Sequence, residues 1–542
     1  MNPRDRILPK AAAAALALTL ALPGIAGAAG TSASGSGDLA PIRETAAKLG
    51  AEVRWDPAGR TVSVTKNGIA LVFKIGEPTA TLNGLAVPLE EPLRIVQNRA
   101  LFSAELLNKL LGSEVLTPEE TTDPAELFIR ALSQGNGAEA LRYASPEFKQ
   151  AVTEAQLGGL WAAYAQIYGA VAKQLAKTES ANSVHDNVTF TYQTDKAALA
   201  YTVRLNKKGE VDDFYIESAA PSAYQAPKYD NPSAYKEEEV TIGEGTFALP
   251  GALTVPTAAG EGPFPVVVLV HGSGTNNRDE AIGGSKSFRD LAVGLAAQGI
   301  AVLRYDKVTY EHTFKIAADP KLTLKRETVD DALAAVRFLK GRKDVDASRI
   351  FVAGHSQGGF AMPLIVDADK ERAIKGTILL SGPSGKFADI LVEQQQELIK
   401  RLKGLGADTA PYEQNAAQVK AVADMVNDPR YSVDRLPENF PLGSPYWWYE
   451  QRDYVPVELA KKQSGPMLVL QGENDWQVPV DQFDGWKSGL KDRTDVEYKS
   501  YPKVTHLLAE YDGVSTGSEY GQPANVAEAI VNDIAAWVKK LP

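Results

Sequence analysis

The sequence predicts an α/β chain: a doubly wound, mostly parallel sheet with a helical cap insertion, preceded by two small α+β domains. Three observations carry this. Apolar runs without alternation at Pro265–Val270, Ile300–Tyr305, Ile350–Ala353, Thr377–Leu380 and Met467–Leu470 suit parallel strands buried on both faces. Helical stretches at Phe288–Gln298, Thr328–Lys340 and Gly359–Asp367 alternate with them, and a βαβα order with right-handed crossovers builds one sheet. With 542 residues, the chain is too long for a single core, so further domains must precede that sheet.

From the N-terminus, the first 28 residues have the form of an export signal. Arg4, Arg6 and Lys10 give a basic start, Ala11–Leu22 is apolar, and Ala26-Gly27-Ala28 is a small-x-small cleavage site. The apolar run is too short to span a hydrocarbon core, and no later segment is long and apolar enough to cross a bilayer. A secreted or cell-surface bacterial protein is expected, with no integral membrane segment after cleavage. Residues 29–37, rich in Gly and Ser, form a flexible linker. A net charge of −11 argues against a nucleic-acid partner. With no cysteine, disulfides, thiolate metal sites and a cysteine nucleophile are excluded.

Residues 38–116 form the first small domain. A short helix at 42–50 with a glycine stop is followed by strands Glu52–Asp56 and Thr61–Lys66 around the turn Pro57-Ala58-Gly59, and a second helix is expected over Phe102–Leu111. Residues 117–220 form the second. Helices over Ala125–Leu132 and Gln156–Leu175 precede strands Asn187–Tyr192, Ala198–Leu205 and Asp212–Ile216, which suits a curved sheet backed by helices. His185 is expected to be a solvated loop residue. Residues 221–236 form a second linker, and 237–542 the main domain. Within it, residues 385–465 are too many for one crossover helix. Two helical stretches there, Ile390–Leu405 and Gln414–Asn427, suit a cap over the sheet. Tyr446, Trp447 and Trp448 follow, either lining a substrate pocket or packing the cap onto the main domain. Ala524–Leu541 closes the chain with an amphipathic helical stripe.

The chemistry centres on Gly354-His355-Ser356-Gln357-Gly358. An apolar strand precedes it and a helical stretch follows, so the serine sits on a tight strand-to-helix turn that lifts its hydroxyl clear of the sheet. A second match, Gly513-Val514-Ser515-Thr516-Gly517, has no strand before it and suits a loop. A serine hydroxyl needs a base. The chain has five histidines, and with the order nucleophile, acid, base, His506 alone follows the turn. His271 at a strand end and His355 within the turn suit structural roles, and His312 suits a loop. Asp475 lies just past the strand Met467–Leu470 and is the expected carboxylate; Glu473 is its nearest rival, with Asp481 and Asp484 suiting surface charges. The oxyanion donors expected are the Gln357 amide, at a helix start, and the Ser273 amide in His271-Gly272-Ser273-Gly274. No metal or cofactor is needed.

Taken together, His-Gly-Ser-Gly at 271–274, Gly-His-Ser-Gln-Gly-Gly at 354–359, Gly-Glu-Asn-Asp-x-x-Val-Pro at 472–479 and a late histidine resemble the α/β-hydrolase superfamily, on its dienelactone-hydrolase-like and acyl-esterase side. Arg304-Tyr305-Asp306-Lys307 and Glu327–Ala332 look like the same group; the segment after Asp306 departs from it, lacking the glycine-rich turn of many relatives. The resemblance covers about 300 residues. It implies a serine esterase acting on a small-molecule or polysaccharide-linked ester. A peptidase of the prolyl-oligopeptidase type and an inert surface or binding protein remain as alternatives. Residues 49–56 and 82–84 resemble the copper-amine-oxidase-like N-terminal (stalk) domain of Gram-positive surface proteins, which implies cell-surface association. No copper is implied, because no histidine occurs before His185.

Overall fold

The computed structural model describes residues 39–66, 69–77, 79–82, 85–89, 92–97, 99–104, 107 and 121–542. The expected export signal, the linker at 29–37, Asn83-Gly84 and the boundary near residue 116 lie outside the described residues. Among those described, no helix is long and apolar enough to cross a membrane. The chain divides into two compact units, with the boundary in sequence after Pro221.

The second unit holds an eight-stranded sheet. Its strands are β1 (Tyr235–Ile242), β2 (Leu249–Pro256), β3 (Phe264–Val270), β4 (Ala301–Tyr305), β5 (Val345–His355), β6 (Ile374–Leu380), β7 (Met467–Gly472) and β8 (Val496–Tyr501), in the spatial order β1-β2-β4-β3-β5-β6-β7-β8. β1 and β2 join antiparallel, and the strands from β4 to β8 pair parallel. The expected parallel strands are all present. The antiparallel opening is additional: Tyr-Lys-Glu-Glu-Glu-Val-Thr-Ile is an edge strand whose charges face water, so it lacks the apolar run that marks the others. Residues 222–234, expected as linker, lie on this unit, with the Tyr229 hydroxyl donating to the Val526 carbonyl at 2.8 Å.

Helices cover both sheet faces. On one, α1 (Ser287–Ala296) and the C-terminal helix Glu528–Lys540 bury Phe288, Leu291, Ile530 and Ile534 against Val267, Leu269, Phe351 and Ile378. On the other lie α2 (Asp330–Lys340) and α3 (Gln357–Ala368), with Val336, Leu339, Phe360 and Ile365 packed on Val266, Val268 and Val352. The cap between β6 and β7 contains α4 (Phe387–Gly404), α5 (Ala410–Asn427) and α6 (Pro445–Glu450), as the loop length requires.

One buried charge in this unit has a consequence for stability. Burial raises the Asp331 carboxyl on α2 to about 7, against the smaller opposing pull of Arg326. The folded protein therefore keeps a proton that the unfolded chain releases near its ordinary value of 3.8. Stability falls as pH rises from about 4 through 7, by a few kcal/mol in all. Asp331→Asn is expected to remove this slope, so that the variant melts higher than the parent at pH 8 and close to it at pH 5. Parallel melting curves at both pH values would contradict it.

In the first unit, Glu52–Asp56, Thr61–Lys66, Ile69–Lys74, Thr79–Leu82 and Leu85–Pro88 form an antiparallel meander. Leu39–Pro41, Arg99–Ser103 and Arg94–Val96 form a second, three-stranded sheet. The helix expected over Phe102–Leu111 differs at its start, because Phe102 and Ser103 belong to a strand; most of the rest lies outside the described residues. Beyond residue 121, helices back a four-stranded antiparallel sheet, with Phe128 edge-on to Phe214 and Trp161 stacked on Tyr201. The helix expected to run to Leu175 stops at Tyr168. Gly169 takes a φ of 86°, and Val171–Ala181 pairs with Asp186–Thr194 instead. Strand pairing outweighs the helical propensity of Ala, Lys, Gln and Leu. His185 is also a correction: it is buried, with Nε2 3.0 Å from the Asp212 carboxylate.

Candidate active site

Ser356 is the single residue between β5 and α3. It has φ 52° and ψ −115°, a left-handed conformation that costs a non-glycine residue about 1–3 kcal/mol. Neighbours hold it there: its N–H donates to the Leu380 carbonyl and its carbonyl accepts from Phe360, both at 2.9 Å. A Cβ on Gly354 would come within 2.4 Å of the Gly358 backbone, and one on Gly358 within 2.2 Å of the Val270 oxygen. Both flanking positions therefore require glycine. Ser515 of the second match is buried in a loop, its hydroxyl bonded to Glu519.

Asp475 lies three residues past β7 and is fully buried. Its Oδ1 accepts from the Gln477 and Val478 amides at 2.8 and 2.9 Å, and its Oδ2 lies 2.7 Å from His506 Nδ1. A carboxylate can only accept, so the imidazole proton sits on Nδ1 and Nε2 is left as the basic nitrogen. Glu473 instead accepts from Ser500 Oγ at 2.7 Å, and Asp484 is a surface partner of Lys487. Among the described residues, the Ser356 hydroxyl makes no hydrogen bond to His506; in unliganded sites this contact is often loose and tightens on substrate. The two are near neighbours through others. A Cβ on Gly272 would lie 3.2 Å from Ser356 Cβ and 3.6 Å from His355 Nδ1, and the His355 and His506 rings are 4.7 Å apart.

The loop after β3 is pinned through Gly272. Its carbonyl accepts from Lys307 Nζ at 2.9 Å and Asn276 Nδ2 at 3.2 Å, and its N–H donates to Glu280 Oε1 at 2.8 Å. In a trans peptide the carbonyl and the next N–H point opposite ways, so fixing the Gly272 oxygen fixes the Ser273 N–H as well. The Gln357 N–H lies in the first turn of α3, where no intrahelical acceptor exists and the helix dipole is positive. Neither N–H has a partner among the described residues. This is the arrangement an oxyanion needs.

Glu327 lies behind this loop and was not singled out as a site residue by the sequence. One carboxylate oxygen is 2.7 Å from Lys307 Nζ and accepts from Gln357 Nε2 at 3.2 Å; the other accepts from Trp447 Nε1 at 2.7 Å. The signal was present in Lys307 and Glu327 of the two family-like stretches, but their pairing spans 20 positions and is visible only in the fold. Of the two readings for the cap aromatics, packing is the one seen for the tryptophans. Trp447 and Trp448 are buried against Phe387, Phe440 and each other, so they pack the cap; Tyr446 alone of the three keeps partial exposure. Trp447→Phe keeps a ring but leaves Glu327 Oε2 unpaired, and is expected to cost about 1–3 kcal/mol. Urea denaturation measures it; a change under 0.5 kcal/mol would contradict the assignment.

Three other contacts complete the site. Arg401 of α4 donates to the carbonyls of Asn474, Asp475 and Ser515 at 2.8, 3.0 and 3.1 Å, so a cap residue holds the acid turn. His271 is buried against Phe288 and Tyr305, and burial lowers its pKa to about 4, which keeps it neutral. His312 is occupied by the Ala248 carbonyl at 2.7 Å and by the Phe247 ring.

The chain is 31% identical over 418 residues to esterase EstD of Thermotoga maritima, covering 77% of this chain and 95% of EstD. The chain belongs to the α/β-hydrolase esterases. The esterase is a carboxylic ester hydrolase. The family described as serine aminopeptidase, S33, matches residues 262–511, and that described as copper amine oxidase N-terminal domain matches residues 35–123. The esterase is also 24% identical over 261 residues to esterase LipC of Mycobacterium tuberculosis, covering 47% of this chain and 56% of LipC. Among solved structures, Est1E from Butyrivibrio proteoclasticus matches at 19% identity and a TM-score of 0.36, covering 56% of this chain and 98% of that one.

Proposed function

We propose that this carboxylic ester hydrolase is exported and works through an acyl-enzyme, with Ser356 as nucleophile, His506 as base and Asp475 as the acid that orients it. The observation that supports this best is the buried 2.7 Å contact between Asp475 and His506 Nδ1, close to a serine held in a strained turn. Ser356 Oγ attacks the ester carbonyl as His506 Nε2 takes its proton. The Ser273 and Gln357 amides donate to the oxygen that becomes negative. Collapse of the tetrahedral intermediate breaks the carbon–alkoxy bond, and His506 returns the proton to the departing alcohol. Water then adds to the acyl-enzyme by the same route, releasing the carboxylic acid and Ser356. These steps need no metal or cofactor. The basic, apolar and small-residue pattern of residues 1–28 supports export to the medium or the cell surface, where a small-molecule or polysaccharide-linked ester would be the substrate.

A fluorophosphonate probe tests both parts. Applied to protein recovered from the culture medium, it is expected to add one label, on Ser356, to a chain beginning at Ala29. Ser356→Ala should take no label and Ser515→Ala the full amount. Label elsewhere would remove the nucleophile, and an unprocessed chain found only inside cells would remove export.

A further inference from the structure

Beneath the nucleophile lies a buried ion pair that the steps above do not use. Glu280 is 2% exposed and takes a φ of 47°. It therefore combines a desolvated charge with a backbone conformation unfavourable for any residue but glycine. One of its oxygens accepts the Gly272 N–H at 2.8 Å, and the other is 2.9 Å from His355 Nδ1. His355, also 2% exposed, donates from Nε2 to the backbone carbonyl of His506 at 2.8 Å. The path Gly272–Glu280–His355–His506 thus begins on the oxyanion loop, passes the residue before Ser356, and ends on the backbone of the base.

We propose that Glu280 and His355 are positioning residues that hold the His506 turn and the Gly272–Ser273 peptide in register with Ser356. This rests on the assignment of Ser356, His506 and Asp475 above. The His506 carbonyl requires a proton on Nε2, while Nδ1 lies 2.9 Å from the Glu280 carboxylate, an ion-pair distance without hydrogen-bond geometry. Burial draws the His355 pKa down, but Glu280, with the His506 carbonyl and Asp475, raises it, and the net shift is upward. Burial likewise pushes Glu280 up, and His355, His271 and the Gly272 amide together reverse this to a net lowering. A hydrophobic pair of similar volume would be as stable or more so. What such a pair would lack is a fixed donor for the His506 carbonyl and a fixed acceptor for Gly272. Displacing a reacting group by about 1 Å costs about a hundredfold in rate.

The test uses His355→Leu, His355→Gln and Glu280→Gln in the full chain, each checked for folding by circular dichroism. Gln places an N–H donor where Nε2 stood, whereas Leu cannot. His355→Leu is expected to lower kcat about a hundredfold with KM within twofold, and to slow fluorophosphonate labelling in proportion. His355→Gln should recover to within about tenfold of the parent, and Glu280→Gln should lower kcat about tenfold at unchanged KM. Parental kcat in folded His355→Leu would overturn the proposal, as would a Gln variant no faster than Leu. If His355→Leu does not fold, Glu280→Gln decides: parental kcat overturns, reduced kcat at constant KM supports. Ser356→Ala separates the two levels. If it stays active, the nucleophile assignment fails; if it is inactive while His355→Leu is unimpaired, only the positioning role fails.

Discussion

Ser356→Ala is expected to reduce ester hydrolysis about ten-thousand- to million-fold while leaving the fold intact. Without its Oγ there is no atom to form the acyl-enzyme, and the amides of Ser273 and Gln357 can support only slow attack by water. The residual rate measures what those donors contribute alone. Alanine at φ 52° keeps the strain of the turn but not the function that justifies it, so the variant should melt close to the parent. His506→Ala should fall to a similar floor, and the double variant no lower, because the residues act as one unit. Steady-state hydrolysis of a p-nitrophenyl ester measures all three; more than 1% of parental activity in Ser356→Ala would end the assignment.

Asp475→Asn should cost about ten-thousand-fold in kcat, for a reason visible in its hydrogen bonds. Oδ1 accepts from two backbone amides, at Gln477 and Val478. The carboxamide oxygen of asparagine must occupy that position, since an NH2 there would face two donors. The NH2 is then directed at His506 Nδ1 in place of Oδ2. It donates, so Nδ1 must accept, and the imidazole proton moves to Nε2. The base presents Ser356 with a proton instead of a lone pair. Raising pH would not restore the rate, because the defect is a tautomer and not an ionisation. A rate within tenfold of the parent would show that Asp475 does not set the tautomer.

The sequence was most informative where function depends on local geometry. The glycines around Ser356, the apolar runs of β3 to β7 and the carboxylate just past β7 are short-range patterns, and each element occurs where its pattern placed it. With so few histidines, His506 was the one candidate beyond the turn, and it is the one whose Nδ1 meets Asp475. What stayed hidden was pairing between distant segments. Nothing near Glu280 announces that it meets His355 75 positions on, and nothing near Trp447 announces that its N–H meets Glu327. Residues 171–175, expected as the end of a helix, favour that form in isolation, and their partner strand decides otherwise. His185 looked solvated because its sequence neighbours are polar, whereas its partner Asp212 lies 27 residues away.

The Arg401 clamp changes how the cap should be regarded. An insertion of some 80 residues between two strands invites treatment as a replaceable cassette, exchanged among relatives to retune which esters are accepted. Here the cassette supplies the guanidinium that organises the carbonyls of the turn carrying Asp475. On the role proposed for Asp475, a graft lacking a cation at that place is expected to alter the catalyst along with its selectivity, so any donor cap for a chimera must first be matched at this one position.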